Sequence, residues 1–450
     1  MLDPSKIDPD IRRKALAART DAPLDPVNLF NITWRDASGQ VSHMVLPKAL
    51  TGVEAEIVVI YGKDFPTGSH KVGATYSVLI EQLVRGAVKA GEHTVVWPST
   101  GNYGIGGAWV GGRMGFDSVV VLPEEMSAER FEMIRSYGSR IIATPGCESN
   151  VKEIYDKCHE LSGGDPDKIR IMNQFERFGN YRFHSCVTGP TIISLMEELA
   201  AKGVGRGKAS AFVSAMGSAG TIGAGDALKE RWPDHKIVGL EPIQCPTLFL
   251  NGHGGHDIQG IGDKHVTWIH NVMNMDAMIC VDDMECKLGL QLLVEEAGRK
   301  VLEAAGLTSG QAGKLASITG ISGVCNILGA IKTANHYGFG KDDVVVTVCT
   351  DNIARYHSVL KNLTQDRGVM DASEAGHRLT SIFHGQKQDW IQEGTRESRL
   401  RWHNLKYFTW VEQQGKTVAE LDALKSQDFW AGQRAFVSET DRLIEIYRKG

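Results

Sequence analysis

The chain has 450 residues, a formal net charge of −5, and 42% hydrophobic and 23% charged residues. These balanced values exclude a basic nucleic-acid-binding face, and no polyanion partner is expected. No segment approaches the roughly 20 apolar residues of a membrane span, and Met1-Leu2-Asp3-Pro4-Ser5-Lys6 lacks a basic stretch followed by an apolar one, so no membrane partner and a cytoplasmic location are expected.

The length exceeds what one core usually serves and predicts two α/β domains with an appendage. In chain order, Phe65–Tyr76 brings a turn-rich approach to Lys71, followed by helical periodicity over Ser77–Val88. Strands are predicted at Val95–Pro98, Val119–Pro123, Arg140–Thr144, Ala211–Ala215, Lys236–Leu240 and Val344–Cys349. Between them run helices at Ser127–Tyr137, Ile192–Ala201 and Leu288–Ala305. Short β-branched runs alternating with helices define an α/β class with parallel sheets covered by helices. After about Leu363 the strand signal stops, and helical sequence carrying Trp390, Trp402, Trp410 and Trp430 takes over. Those rings are expected to pack against the chain's own body or a second subunit. The eight cysteines are scattered without C-x-x-C or zinc spacing, so neither a metal site nor a disulfide framework is expected.

Glycine is concentrated in clusters, the mark of tight ligand loops. Ser99-Thr100-Gly101-Asn102-Tyr103-Gly104 follows a strand and opens a helix, where unpaired backbone N–H groups suit a carboxylate. Gly217-Ser218-Ala219-Gly220-Thr221 does the same after Ala211–Ala215, and its amides and hydroxyls suit a phosphate. A dinucleotide loop at Gly104-x-Gly106-Gly107 is disfavoured because the register and the following acidic residue are wrong. A lysine poorly hydrated in such surroundings loses its proton readily and attacks carbonyls.

With these segments in this order, the chain resembles the fold-type II pyridoxal-phosphate enzymes, most of all the cysteine synthase and cystathionine β-synthase branch, from about Phe65 to Tyr356. The resemblance implies pyridoxal 5'-phosphate held by Lys71 as a Schiff base, with Asn102 on its phenolic oxygen and Gly217, Ser218, Ala219, Gly220 and Thr221 on its phosphate. Gly68-Ser69-His70-Lys71 is similar to the lysine motif of the tryptophan synthase β-subunit, which implies that His70 packs near the phosphate. Ser99, Thr100, Gly101, Tyr103, Gln174 and Gly260 are then the expected contacts of a small amino-acid substrate. Gln174 lies in a stretch resembling Q-F-x-N-x-x-N that ends at Asn180. The implied architecture is a large cofactor-binding domain of residues 1–70 and 186–363, a smaller domain of residues 71–185, and a helical extension of residues 364–450. A homodimer is expected.

Three departures from the branch bear on chemistry. Tyr103 stands for a threonine, with packing and catalysis both open to it. Asp263-Lys264-His265 replaces a small apolar stretch, either as a solvated loop, the commoner case, or as a contact to a polar substrate group. Asp351 falls at the position of the serine that meets the pyridine nitrogen, with Thr350 beside it. Because side chains alternate at a strand end, only one of the two is expected to face the ring, and Thr350, a neutral contact, is preferred. The first two departures favour α,β-elimination through an aminoacrylate. The alternatives are β-replacement, a non-catalytic regulatory protein on the same fold, and a nicotinamide-dependent oxidoreductase.

Overall fold

Runs of valine and isoleucine make the central strands, and Thr94–Pro98, Ala211–Ala215, Ala277–Val281 and Val344–Cys349 are buried along their whole length, as strands covered on both faces must be. The computed structural model describes all residues except Thr100, Glu148, Lys449 and Gly450. Eleven strands are present among the described residues: β1 (His43–Val45), β2 (Glu56–Tyr61), β3 (Thr94–Pro98), β4 (Asp117–Pro123), β5 (Arg140–Thr144), β6 (Ile169–Ile171), β7 (Ala211–Ala215), β8 (Lys236–Pro242), β9 (Ala277–Val281), β10 (Val344–Cys349) and β11 (Ile391–Glu393).

They form a seven-stranded sheet of order β1-β2-β10-β7-β8-β9-β11 and a four-stranded sheet of order β5-β4-β3-β6. The smaller sheet is wholly parallel, and the larger is parallel except at its edges, where β1 runs against β2 and β11 against β9. The α/β class and the two mostly parallel sheets are as the sequence predicts. Val346 pairs with Val58 on one side and Phe212 on the other, which sets the register of β10 at the centre of the large sheet. The helix Ile321–His336, buried over its first fourteen residues, packs across β10 and β7.

Four expectations need correction. The first of the predicted helices begins at Lys71 itself, six residues before Ser77, and ends at Leu83. The stretch Leu288–Ala305 is two helices, Asp283–Val294 and Glu296–Ala304, broken at an extended Glu295. The tail is not purely helical, since β11 extends the large sheet by pairing Ile391 with Ile279. Five strands, β1, β2, β6, β9 and β11, lie outside the predicted set.

The tail packs on its own chain. Trp402, Trp410 and Trp430 are fully buried, and Trp410 and Trp430 share a cluster with Phe175, Tyr181 and Ile269. Lys406 is buried with them, its amine donating to the carbonyls of Trp268 at 3.1 Å and His270 at 2.6 Å. Among the described residues no single helix is long and apolar enough to cross a membrane.

Candidate active site

The helix Lys71–Leu83 packs on the helix Asn102–Arg113, which follows β3 of the small sheet, while Lys71 at its start reaches the loop after β7 of the large one. Lys71 is buried, and its Nζ donates to Ser218 Oγ at 3.1 Å. Burial lowers the amine to about 8, with the negative charge of Asp263 opposing the shift. A substantial neutral fraction therefore exists near neutral pH, which a proton-abstracting amine needs.

Ser218 belongs to the loop between β7 and the helix Ala224–Arg231. Its Oγ also accepts from Asn180 Nδ2 at 2.9 Å, so its own hydrogen is left to be given elsewhere. Ala219 has φ of 59°, a left-handed conformation rare for a residue with a side chain, and Gly220 after it is right-handed. Consecutive residues of opposite hand turn their N–H groups into a concavity suited to an anion. A Cβ on Gly220 would stand 2.0 Å from Asn180 Oδ1, so a side chain there displaces the Asn180 amide from Ser218. His70 Nε2 lies 3.1 Å from Thr221 Oγ1 and its ring stacks on Trp34. Burial and the adjacent Lys71 hold His70 well below the usual histidine range, so it is neutral.

The second loop faces the first. Ser99 Oγ accepts from the N–H groups of Gly101 at 2.9 Å and Gly104 at 2.7 Å, so it builds the turn and caps the helix Asn102–Arg113. Gly101 has φ of 149°, and a Cβ there would lie 2.8 Å from Arg130 Nε. Thr100 is outside the described residues. Asn102 Nδ2 donates to Asp351 Oδ2 at 2.6 Å, and Tyr356 OH donates to the same oxygen at 2.8 Å. Arg130 Nη2 approaches it at 3.8 Å. Gln174 is buried, donating from Nε2 to the Pro98 carbonyl at 3.3 Å, while its backbone carbonyl accepts from Asn180 Nδ2 at 3.0 Å. Gly260 packs between Asn102 and Gly217.

The structure therefore brings Lys71, His70, Asn102, Gln174, Gly260, Asp351 and the Gly217–Thr221 loop together. Two expectations change. Asp351, fully buried, faces Asn102, whereas Thr350 is half-buried with no side-chain partner there. The neutral contact preferred from the sequence gives way to a carboxylate. Tyr103 is turned into the core of the small sheet, its hydroxyl donating to the Met172 carbonyl at 3.0 Å and its ring edge-on to Trp97. It packs, and does not reach the substrate loop's open side.

Asp263, the first residue of the expected polar lip, is 5% exposed and neither carboxylate oxygen has a hydrogen-bond partner among the described residues. It is no solvated loop residue. The loop holding it is clamped along the phosphate loop by Gly262 N–H to the Met216 carbonyl at 2.7 Å and by Thr267 Oγ1 to the Ser218 carbonyl at 3.0 Å. Only Lys264 reaches outward, donating to Asn150, while His265 sits against Tyr155. Sequence reasoning left out Asn180, Arg130 and Tyr356 as site residues. Asn180 had a signal, as the last position of the Q-F-x-N-x-x-N-like stretch, and so had Tyr356, as the end of the family-like stretch that places Asp351; Arg130 had none.

Buried atoms without partners surround Lys71: His70 Nδ1, Asn102 Oδ1, Asn180 Oδ1, Asp263 Oδ1 and Oδ2, and Asp351 Oδ1. Buried polar atoms are rarely left unsatisfied, so so many in one place mark a site shaped for a polar ligand. A nucleophilic amine, an anion cradle and a carboxylate at the far side fit pyridoxal phosphate.

Residues 63–351 match the pyridoxal-phosphate dependent enzyme family, and the chain belongs to it, as a member of fold type II with pyridoxal phosphate as cofactor. Within that family it falls in the cysteine synthase and cystathionine β-synthase-like branch. A cysteine synthase of Staphylococcus aureus is 31% identical over 306 residues, 68% of this chain and 88% of that protein. A hydrogen sulfide-producing enzyme from Fusobacterium nucleatum superimposes with a TM-score of 0.58 at 27% identity, covering 72% of this chain and 88% of that one. The cysteine synthase of Entamoeba histolytica shares the fold, with a TM-score of 0.61 at 22% identity over 76% of this chain and 92% of that one. The protein is thus an enzyme family member of β-replacement and elimination chemistry.

Proposed function

We propose that this protein catalyses β-replacement on a β-substituted L-amino acid, exchanging the β-substituent for a nucleophile. The observation that carries the reading is the Lys71 amine, buried and bonded to Ser218 of the anion loop, with the Asn102–Asp351 pair on the opposite wall. The 31% identity to a cysteine synthase favours replacement over the elimination expected from the sequence.

When bound, the cofactor supplies an electron sink for the pair released at the substrate's Cα. Lys71 would hold it, the Gly217–Thr221 amides and Ser218 would hold its phosphate, and Asn102 and Asp351 would meet its ring. Asn102–Arg113 presents its N-terminal amides to the substrate carboxylate, and Gln174, in the segment after β6, braces that position through the Pro98 carbonyl of β3. Lys71 Nζ, once freed, takes the α-proton. Burial keeps that amine close to the pKa at which it both accepts and returns a proton. Asn102 and Tyr356 donate to Asp351 Oδ2, Arg130 approaches the same oxygen, and Asp351 would be the acidic partner of the ring nitrogen.

The test mixes holoenzyme with a panel of β-substituted alanines, with and without a thiol acceptor, and follows new amino acid by mass spectrometry beside pyruvate and ammonia. Replacement predicts a new amino acid that rises with thiol concentration at the expense of pyruvate. Pyruvate and ammonia in unchanged amounts at every thiol concentration would instead establish elimination.

A further inference from the structure

The two buried carboxylates of the site differ in a way that speaks to the substrate. Asp351 receives hydrogen bonds from Asn102 and Tyr356. Asp263 receives none from the described residues on either oxygen, although it is only 5% exposed. A carboxyl kept dry without partners is costly and has no packing reason, since an apolar residue would fill the same space. Its position is defined by the clamps on either side, which run to Met216 and Ser218, the residues flanking Gly217. Asp263 Oδ2 lies 3.7 Å from where a Cβ on Gly217 would stand. Asp263 and the Lys71 amine therefore both border the same short loop.

The other groups around it are committed elsewhere. Tyr155 and His265 are bonded to each other at 3.1 Å, and Lys264 points out to Asn150. Lys71 is the cation whose charge opposes the effect of burial on Asp263. Burial raises the Asp263 carboxyl to about 7, so it carries a proton for much of the time near neutral pH.

We propose that Asp263 gives a proton to the departing β-substituent, and that the donor substrates are accordingly amino acids with an unactivated β-thiol or β-hydroxyl rather than activated esters. The inference rests on the β-substitution reading above. A thiolate, whose conjugate acid has a pKa of about 8.5, or a hydroxide leaves poorly unless protonated. A carboxylate such as acetate, with a conjugate-acid pKa near that of a free side-chain carboxyl at about 4, departs as a stable anion and needs no acid. An ionised Asp263 would also repel it.

The step balances. Lys71 Nζ takes the α-proton, and the electron pair of that C–H bond becomes the Cα–Cβ π bond. The bond from Cβ to the heteroatom breaks with its pair on the heteroatom, which takes the proton of Asp263. When a thiol or water adds to Cβ, its proton goes to the Asp263 carboxylate, and the π pair returns to Cα, which takes back the proton held by Lys71 Nζ. No oxidant or reductant is needed.

The test compares holoenzyme with Asp263→Asn on L-cysteine, following sulfide, and on O-acetyl-L-serine, following acetate, with one thiol acceptor throughout. Cofactor content and visible absorbance are measured on both proteins as a check on the site. The expected result is a loss of about 10²-fold or more in kcat/KM on L-cysteine and a shift of similar size in the cysteine-to-ester selectivity ratio. Asp263→Ala, with formate added as a small replacement acid, should recover part of the cysteine reaction. Equal losses on both donors without formate rescue would overturn the inference by making Asp263 structural. So would a wild type that uses O-acetyl-L-serine but neither cysteine nor serine, which would leave β-substitution standing. A wild type that acts on none of these donors removes the underlying reading, and the inference with it.

Discussion

The stretch of residues 63–351 and the tail beyond Leu363 bury polar groups in opposite ways. Around Lys71, His70, Asn102, Asn180, Asp263 and Asp351 each keep a buried atom without a partner. In the tail, Trp402, Trp410 and Trp430 donate their indole N–H groups to Gln392, Val266 and Leu424, and Lys406 donates to two carbonyls. His403 is the exception there. Satisfied groups belong to a region whose task is to hold, and unsatisfied ones to a region shaped for what it binds. The tail holds the site's own walls: Trp410 and Lys406 fasten the Val266–His270 segment that follows Asp263, and Arg434 reaches Tyr181 in the helix after Gln174.

The contrast is broken most directly at its centre. Lys71→Ala should lower turnover by at least about 10³-fold, since general-base catalysis alone contributes about 10²–10⁴-fold, and should abolish the visible absorbance of lysine-bound cofactor. Far-UV circular dichroism should stay unchanged. A variant that retained the absorbance would move the attachment point elsewhere.

Asp263 tests whether an unsatisfied group is stored at a cost. Its carboxyl is raised to about 7 in the fold, against about 3.9 when unfolded, so its contribution to stability is fully present below pH 4 and is lost as pH rises towards 7. Asp263→Asn removes that dependence. The variant should be more stable than wild type by roughly 2–4 kcal/mol at pH 8 and equal to it near pH 4, as urea unfolding of each will read. Wild type gaining stability relative to the variant as pH rises would show that Asp263 is paired after all.

Much of the matched region was legible because buried parallel strands are written as β-branched runs. The bounds of β5, β7 and β10 agree with the prediction, and those of β3, β4 and β8 differ by two residues or fewer at any end. β11 was not legible because its three residues become a strand only by pairing with the edge of β9. The start of the first predicted helix was hidden because Val72, Gly73 and Ala74 are held helical by packing on neighbouring helices, not by a periodic apolar stripe. At Glu295 the periodicity runs on across a break, since Leu293 and Leu302 on either side enter the same core. At the site, Lys71, Asn102 and the anion loop follow from local motifs. Which of Thr350 and Asp351 faces inward, and how dry Asp263 is, depend on Asn102 and on the clamps to Met216 and Ser218, contacts distant in sequence.

The tail's buried amine gives a control of opposite sign. Lys406 is lowered to about 7 by burial, against about 10.4 when unfolded, so the unfolded chain binds the extra proton between those values and stability rises with pH across that window. Lys406→Met carries no such slope. Measured by urea unfolding, wild type should gain roughly 1–3 kcal/mol relative to the variant between pH 7 and pH 10, with catalysis tracking only the folded fraction. A flat difference would mean that the two carbonyls keep Lys406 charged in the fold.

Tyr103 gives the smallest effect and the sharpest check on the border between the two kinds of polar group. It stands in the substrate loop by sequence, but its hydroxyl is spent on the Met172 carbonyl and its ring on Trp97. Burial also raises the hydroxyl far above its usual range, so it has no ionised form to offer a reaction. Tyr103→Phe leaves one buried carbonyl without its donor and should cost about 1 kcal/mol of stability, read as a lower urea midpoint at unchanged slope. Since no reacting group touches that hydroxyl, kcat/KM should move by less than about threefold. A loss of about 10²-fold with stability intact, the size expected of an acid or base, would place the hydroxyl in the chemistry and require the loop to rearrange when substrate binds.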